Sequence, residues 1–241
     1  MKKLSSYLFL ISVGVLTLGA FSFLGLNSDV KDYLLAKVTG GGVCPKGDGK
    51  AFDDEVLVYV NKDMSLPSRY IPKDLIDISK EVKTINVVCL KKDVVPFLKQ
   101  MFTDAGVQNI NLAVTSGFRS DDTQLKLYNA LIALKGETAK DRIAKPSHSE
   151  HQLGTTMDFS GESIDFVSAS DRFNKTAEDL WLRKNAYKYG FVMSYGKDKK
   201  SITGYDYEPW HYRFVGVDVA KIIFDKEISI EEYFSSVNTN D

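Results

Sequence analysis

The chain has 241 residues, and its 31 lysines and arginines nearly balance its 32 aspartates and glutamates, for a formal net charge of −1. A chain with this balance offers no general attraction for nucleic acid, so DNA- and RNA-binding functions are disfavoured. Its 44% hydrophobic and 26% charged residues indicate a globular protein. Its two cysteines are too few for a four-cysteine zinc site. Its three histidines all lie between residues 148 and 211.

The N-terminal segment is typical of a membrane anchor. Residues 4–26 contain no charged side chain and follow Lys2 and Lys3. As a helix this run would be about 35 Å long, enough to cross the hydrocarbon core of a bilayer, and the two lysines would keep its start in the cytoplasm. We therefore expect residues 1–26 to anchor a single-pass protein of the cell membrane, with the remaining chain on the extracytoplasmic side. The alternative is a signal peptide cleaved at the small-x-small sequence of residues 20–22, which would give a secreted protein.

A spacer is expected at residues 27–55, where three consecutive glycines and a Pro-Lys-Gly-Asp-Gly sequence favour turns. Cys44 lies in this spacer, and Cys89 lies further along the chain. Outside the cytoplasm the two thiols can stay oxidised, and a disulfide between them would stabilise the fold by about 2–4 kcal/mol. Two buried free thiols are the alternative, because sequence alone does not place the two Cβ atoms within bonding distance.

Residues 56–226 are expected to form one domain, because no second linker or internal repeat interrupts them, and residues 227–241 are expected to be a C-terminal tail. Caps and apolar periodicity predict three helices, running from Asp93 to about Gly106, from Ser120 to Gly136 and from Thr176 to Gly190. Strands or extended segments are predicted at Leu57–Val60, Ile110–Val114, Phe191–Tyr195 and Tyr207–Val215, with a solvated hairpin tip at Lys197–Lys200. Helices combined with antiparallel strands indicate an α+β domain.

Two histidines and two carboxylates crowd into residues 146–158, a segment that reads as a loop running into a strand, and the third histidine is His211. A hydrolytic zinc site needs three nitrogen or carboxylate ligands and an open position for water. His151, Asp158 and His211 can supply those three ligands, which leaves His148 as the spare histidine. Histidines that pair with carboxylates without any metal are the alternative.

Glu208 and Arg119 can complete such a site. Glu208 precedes His211 by three positions, and a carboxylate that is not a ligand is needed to take the proton of the attacking water. On a regular strand these two residues would face opposite sides, so Glu208 is expected before the strand or at a bulge, where Pro209 interrupts the pairing. Arg119 lies in a turn ahead of a helix N-terminus, where it can bind a peptide's C-terminal carboxylate or stabilise an oxyanion.

Several separated motifs resemble the VanY-type D-alanyl-D-alanine carboxypeptidases. These motifs are Ser-Gly-Phe-Arg-Ser at 116–120, Ser149-x-His151-x-x-Gly154-x-x-x-Asp158, and Glu-Pro-Trp-His at 208–211. They occur in the family's order, and the resemblance extends over about residues 56–220. It implies the fold of the LAS-type zinc peptidases, which is shared with lysostaphin-like enzymes and the hedgehog N-terminal domain: a small antiparallel sheet flanked by helices.

The resemblance also implies which residues act and on what. It implies that the zinc ligands are His151, Asp158 and His211. It implies that Glu208 is the general base and that Arg119 is the cation that stabilises the transition state. The two implied substrate-binding side chains are Gln124 and Ser149. The implied activity is that of a zinc-dependent carboxypeptidase that removes the C-terminal D-Ala from peptidoglycan stem peptides.

Three other functions are weighed against this one. The nearest is an L,D-carboxypeptidase of the same family that acts on tetrapeptide stems. A peptidoglycan endopeptidase is a more distant alternative. A catalytically silent zinc-binding module of the cell wall belongs to a different class, and the retention of both Glu208 and Arg119 argues against it. The sequence carries no indication of the oligomeric state.

Overall fold

The computed structural model describes residues 43–47, 52 and 56–238. The predicted anchor at residues 1–26 and most of the predicted spacer lie outside the described residues. Within the described part of the chain, no helix combines the length and the apolar character that a membrane span requires. The α+β class predicted from the sequence is confirmed, because helices pack against small antiparallel sheets.

Six short strands form the two sheets of the described chain. They are β1 (Leu75–Asp77), β2 (Cys89–Lys91), β3 (Leu112–Ser116), β4 (Thr156–Gly161), β5 (Phe191–Met193) and β6 (His211–Phe214). Strands β1 and β2 pair with each other, and the other four form one antiparallel sheet in the order β3–β4–β6–β5. The two central strands of this sheet are therefore β4 and β6, which come from distant parts of the sequence.

Six α-helices accompany these sheets in the described residues. They are α1 (Val95–Val107), α2 (Asp121–Lys135), α3 (Ala177–Asn185), α4 (Lys200–Thr203), α5 (Val217–Lys226) and α6 (Ile230–Asn238). The main hydrophobic core includes the fully buried Leu98 and Met101 of α1. Helix α6 lies in the segment predicted as a tail, and it packs through the buried Ile230 and through Phe234, whose ring centroid is 4.8 Å from that of Tyr59.

The central strands separate the hydrophobic core from a polar layer. Met157 and Phe159 of β4 are fully buried in the main core. Because side chains alternate along a strand, Asp158 between them points to the opposite face of the sheet. Two aromatic residues of β6 also enter the core, so His211 and Arg213 lie on the same face as Asp158. The register of β4 and β6 places Asp158 directly opposite His211, and this face of the sheet therefore carries the candidate ligands.

Two of the three predicted helix starts are confirmed. The side-chain oxygen of Ser120 accepts a hydrogen bond from the backbone N–H of Thr123, and α2 then runs to Lys135. Thr176 caps α3 in the same way, although a 3₁₀ turn after Asn185 completes the segment that was predicted as one helix.

The predicted cap at Asp93 is wrong. Lys92–Val94 form a 3₁₀ turn, and α1 begins at Val95 with no side-chain cap. Pro96 lies in the first turn of α1 and has no backbone N–H, so one donor fewer requires a partner there.

Two expectations about the strands are revised as well. Residues 57–60 form no strand, and the backbone carbonyls of Val56 and Val58 instead accept hydrogen bonds from the Arg213 guanidinium. The hairpin predicted around residues 197–200 is confirmed only in part, because the segment does join the antiparallel strands β5 and β6 but is not a tight tip. That segment belongs to a long connection between β5 and β6, in which Lys200 begins α4 and forms ion pairs, 2.8 Å from the nearer oxygen of Asp206.

A disulfide joins Cys44 to Cys89 across 45 positions of the sequence. Cys89 is the first residue of β2, and its backbone carbonyl accepts a hydrogen bond from Phe118 N–H. The bond therefore attaches the segment around Cys44 to the strand that supports the turn before α2. Of the two alternatives that the sequence left open, the structure shows the disulfide.

Reduction of this disulfide is expected to lower the free energy of unfolding by about 2–4 kcal/mol, because the unfolded chain regains the conformational freedom of a long closed loop. Urea unfolding with and without a thiol reductant measures the difference. The control is Cys44→Ala, which should unfold at the lower urea concentration in both conditions. An equal effect of the reductant on the wild type and on the control would contradict the prediction.

Candidate metal centre and active site

Three buried side chains converge on the polar face of the large sheet. His151 comes from a 3₁₀ turn at Glu150–Leu153, Asp158 from β4 and His211 from the start of β6. Each offers one ligand atom, and these atoms all lie within 4.8 Å of one another. Gly154 ends the 3₁₀ turn with a φ of 70°, a conformation that side chains other than glycine adopt rarely, and so directs the chain from His151 into β4.

The outward-facing nitrogen of each histidine ring is already engaged. Nδ1 of His151 lies 2.7 Å from the carbonyl oxygen of Gly117, which can only accept a hydrogen bond, so this nitrogen carries a proton. Nε2 of His211 lies 2.9 Å from Oε2 of Glu150 and donates to that carboxylate. The remaining nitrogens, Nε2 of His151 and Nδ1 of His211, lie 3.4 Å and 3.5 Å from Oδ1 of Asp158.

These contacts show that the three residues fit a metal ion. Within the described residues, Oδ1 of Asp158 is buried and has no hydrogen-bond partner. A buried carboxylate oxygen without a partner is costly, and here it faces one nitrogen of each of the two histidine rings. A cation among the three atoms would satisfy all of them. Two imidazoles and one carboxylate also form a ligand set that zinc hydrolases use, with the fourth position open.

The electrostatics of the metal-free site also indicate that the three residues fit a metal ion. Burial lowers the pKa of His211, but the adjacent carboxylates of Asp158 and Glu150 outweigh that effect and raise the pKa to about 10. Burial likewise raises the pKa of Asp158, but the two neighbouring histidines hold it well below its usual range. Without a metal the site therefore retains a proton on His211. A bound cation takes the place of that proton, so metal affinity falls as the pH falls.

Glu208 lies beside the three candidate ligands without belonging to their cluster. Its Oε2 is 3.7 Å from Nδ1 of His211. Strand β6 begins only at His211, and the backbone N–H of His211 bonds to the carbonyl of Glu208, so Glu208 lies in a turn before the strand, as predicted. Burial raises the pKa of its carboxyl to about 7, although the positive charge of His211 opposes the rise. A carboxyl with its pKa near neutrality can both accept and return a proton.

Arg119 is held in the turn between β3 and α2 by two side chains. Its Nη1 donates to Oε1 of Gln124 at 2.8 Å, and its Nη2 donates to Ser116 at 3.2 Å. Gln124 is buried, and its amide nitrogen donates to the carbonyl of Ala144. Gln124 thus orients the guanidinium of Arg119. The fork of that guanidinium is suited to a carboxylate or an oxyanion.

All seven side chains that the sequence analysis singled out line one cavity of about 470 Å³. Ser149 is buried at the start of the 3₁₀ turn that carries His151. His148, the spare histidine, is not among the lining residues, and its Nδ1 lies 2.9 Å from the carbonyl oxygen of Asn61. The cavity places the three candidate ligands, the carboxylate of Glu208 and the guanidinium around one volume that is large enough for a peptide terminus.

Sequence reasoning missed several side chains around this cavity. The aromatic ring of Tyr195 lies 4.6 Å from that of His211 and 4.7 Å from that of Tyr205, and both tyrosines line the cavity. Glu150 and Arg213 were also given no role. Glu150 directly precedes the candidate ligand His151 and Arg213 lies two positions after the candidate ligand His211, and this proximity was the only signal in the sequence.

A buried His-Asp-His cluster beside a carboxylate and an arginine, set in a cavity on an antiparallel sheet, defines a metal-dependent peptide hydrolase. The family described as VanY, D-alanyl-D-alanine carboxypeptidase, matches residues 88–217. The chain is 42% identical over 189 residues to YodJ of Bacillus subtilis (strain 168), a protein assigned as a carboxypeptidase, and the match spans 76% of this chain and 68% of that protein. The chain therefore belongs to the VanY family of carboxypeptidases.

Two solved structures support this assignment. The L,D-carboxypeptidase LdcB has a TM-score of 0.70 and 37% identity, with coverage of 87% of this chain and 96% of that one. The D,D-pentapeptidase VanY from a VanB-type vancomycin-resistance cassette, solved in complex with Zn(II), has a TM-score of 0.64 and 27% identity, and the match covers 75% of this chain and 99% of that one. The chain is a carboxypeptidase of this family, and its cofactor is zinc.

Proposed function

We propose that this carboxypeptidase removes the C-terminal D-Ala from peptidoglycan stem peptides that end in D-Ala-D-Ala. The observation that carries the proposal is the convergence of the His-Asp-His cluster, Glu208 and Arg119 on one cavity. The D,D-pentapeptidase with bound Zn(II) shares the fold at 27% identity and supports the same choice of substrate.

In the proposed mechanism the chain's own residues hold the peptide and move the proton. Zinc held by His151, Asp158 and His211 would supply a Lewis acid that polarises the scissile carbonyl and acidifies water. Glu208 accepts the proton of the attacking water and returns it to the nitrogen of the departing D-Ala. Arg119, oriented by Gln124, stabilises the negative charge that develops on the carbonyl oxygen. The low exposure of these groups strengthens each of these electrostatic contributions.

A second candidate is an L,D-carboxypeptidase that removes D-Ala from tetrapeptide stems. The observation that favours it is the likeness to LdcB, whose TM-score and identity both exceed those of the D,D-pentapeptidase. Both reactions remove one D-Ala and need the same metal site, so the two functions differ in which residue they accept before the scissile bond.

Incubation of purified protein with pentapeptide and with tetrapeptide stems, followed by mass spectrometry of the products, decides between these functions. A D-alanyl-D-alanine carboxypeptidase should remove one alanine from the pentapeptide at a higher kcat/KM than from the tetrapeptide. The reverse preference would establish an L,D-carboxypeptidase. Release of an internal fragment would indicate an endopeptidase, and zinc content without any cleavage would indicate a silent wall module.

The proposal extends to the location of the enzyme. We propose a single-pass membrane protein whose catalytic domain lies on the extracytoplasmic side, where its substrate is found. The uncharged run at residues 4–26 after two lysines supports this topology, and the disulfide between Cys44 and Cys89 supports an oxidising compartment. Protease added to intact spheroplasts should digest the catalytic domain. A secreted enzyme would instead appear in the medium, shortened at the cleavage site predicted at residues 20–22.

A further inference from the structure

Glu150 is a buried carboxylate that the mechanism does not use. It directly precedes the ligand His151, is 4% exposed, and directs its carboxylate toward the other ligand histidine. Its Oε2 lies 2.9 Å from Nε2 of His211, the ring nitrogen that faces away from Asp158. The contact joins residues that are 61 positions apart in the sequence.

Arg213 occupies the other oxygen of the same carboxylate. This arginine is fully buried, and its Nη1 lies 3.2 Å from Oε1 of Glu150. Its Nη2 donates to the backbone carbonyls of Val56 and Val58, at 3.1 Å and 2.5 Å. Arg213 stands two positions after His211 on β6, so both side chains lie on the same face of the sheet. The carboxylate of Glu150 is thus fixed at both oxygens and cannot rotate away from His211.

The orientation of the His211 ring matters because a histidine can bind a metal through either nitrogen. Only Nδ1 faces Asp158, while Nε2 must carry a proton to bond with Glu150. A carboxylate that accepts from the distal nitrogen of a ligand histidine selects the tautomer, holds the plane of the ring and makes the ligand a stronger base.

We propose that Glu150, held by Arg213, is a positioning residue that presents Nδ1 of His211 to the metal ion. The inference rests on the proposed function only in that it takes this cavity as the zinc site. A different reading is that the Glu150–Arg213 pair only attaches the segment at residues 56–58 to the sheet. That purely structural role would alter stability and leave the metal unaffected.

The deciding comparison uses two isosteric substitutions of buried carboxylates in the full chain. Glu150→Gln removes the charge next to His211. Glu178→Gln is the matched control, because Glu178 is 3% exposed and accepts hydrogen bonds from Ser163, but it does not line the cavity. Zinc affinity is measured by competition with a chromogenic chelator, and the ligand field by the visible spectrum of the Co(II)-substituted proteins.

Glu150→Gln is expected to weaken zinc binding about 10–100-fold and to shift the Co(II) spectrum, whereas Glu178→Gln should change neither. At saturating zinc, the positioning role predicts a fall in kcat with little change in KM. Wild-type zinc affinity and an unchanged Co(II) spectrum in Glu150→Gln would overturn the proposal. The zinc affinity and the Co(II) spectrum need no substrate, so they remain decisive even if the proposed peptide specificity is wrong.

Arg213→Lys provides a second test if Glu150→Gln does not fold. A lysine keeps the positive charge but replaces the planar fork with a single ammonium, so it cannot hold the carboxylate and both carbonyls in the same geometry. The proposal predicts weaker zinc binding for Arg213→Lys, smaller in extent than for Glu150→Gln, with a detectable change in the Co(II) spectrum. Unfolding at lower urea with wild-type zinc affinity and spectrum would establish the purely structural role instead.

Discussion

Glu208→Gln is expected to lower kcat about 10²–10⁴-fold while the protein retains its zinc. Glutamine has nearly the same shape as glutamate but cannot accept the proton of the attacking water, and general-base catalysis contributes a factor of this size. The metal should remain because Glu208 is not one of the three clustered ligands, although its Oε2 is only 3.7 Å from Nδ1 of His211. Metal analysis and steady-state kinetics on the preferred stem peptide measure the two quantities.

The pH profile separates this role from a general loss of structure. Burial raises the pKa of Glu208, and only the deprotonated carboxylate can act as a base, so the kcat/KM of the wild type should fall as the pH decreases through that pKa. The residual activity of Glu208→Gln should lack this dependence. Turnover by the variant at the wild-type rate would remove Glu208 from the mechanism, and loss of its zinc would show that Glu208 helps to hold the metal.

Removal of the metal should have the other large effect. Treatment with a strong chelator is expected to lower the activity at least about 10⁴-fold, because the metal supplies a major part of an enzyme acceleration that typically exceeds about 10⁶. Zinc added back to the wild type should restore the activity. Asp158→Asn should remain inactive under the same treatment, because it replaces the anionic ligand with a neutral amide.

The same experiment has a thermodynamic readout. A metal present at about 1,000 times its dissociation constant stabilises the native state by about 4 kcal/mol, so the chelated wild type should melt at a distinctly lower temperature. Asp158→Asn should show no comparable change between zinc and chelator. Full activity and an unchanged melting temperature after verified removal of all metal would contradict a catalytic zinc site.

The features of this molecule that could be predicted are those that depend on residues close together in the sequence. Ser120 and Thr176 begin helices because a short hydroxyl side chain caps the N–H groups of the next turn, and that relation is visible within four residues. The break before β6 was predictable from Pro209. The candidate ligands were recognisable because few residue types bind zinc and because the motifs resemble one family.

The remaining features depend on contacts between distant residues. The segment at residues 57–60 has the composition of a strand, but the carbonyl of Val58 accepts a hydrogen bond from a guanidinium 155 positions away. Glu150 contacts Arg213 across 63 positions of the sequence, and the local sequence around either residue does not predict this contact. The lysines at 199 and 200 looked like solvated charges, yet each has an acidic partner brought near by the fold. Pairings of this kind follow from the topology, which the local sequence does not specify.

Because successive side chains of β4 point to opposite faces of the sheet, correct pairing of this strand is a condition for zinc binding. Met157 and Phe159 fill the core while Asp158 faces the cavity, so neighbouring residues on one strand meet opposite requirements. A slip of β4 by one position against β6 would drive the carboxylate into the apolar layer and turn a methionine toward the two histidines. Such a misregistered chain could not complete the ligand set. The zinc content of a preparation therefore counts the molecules whose central strands are in register, and it can serve as an assay of folding fidelity.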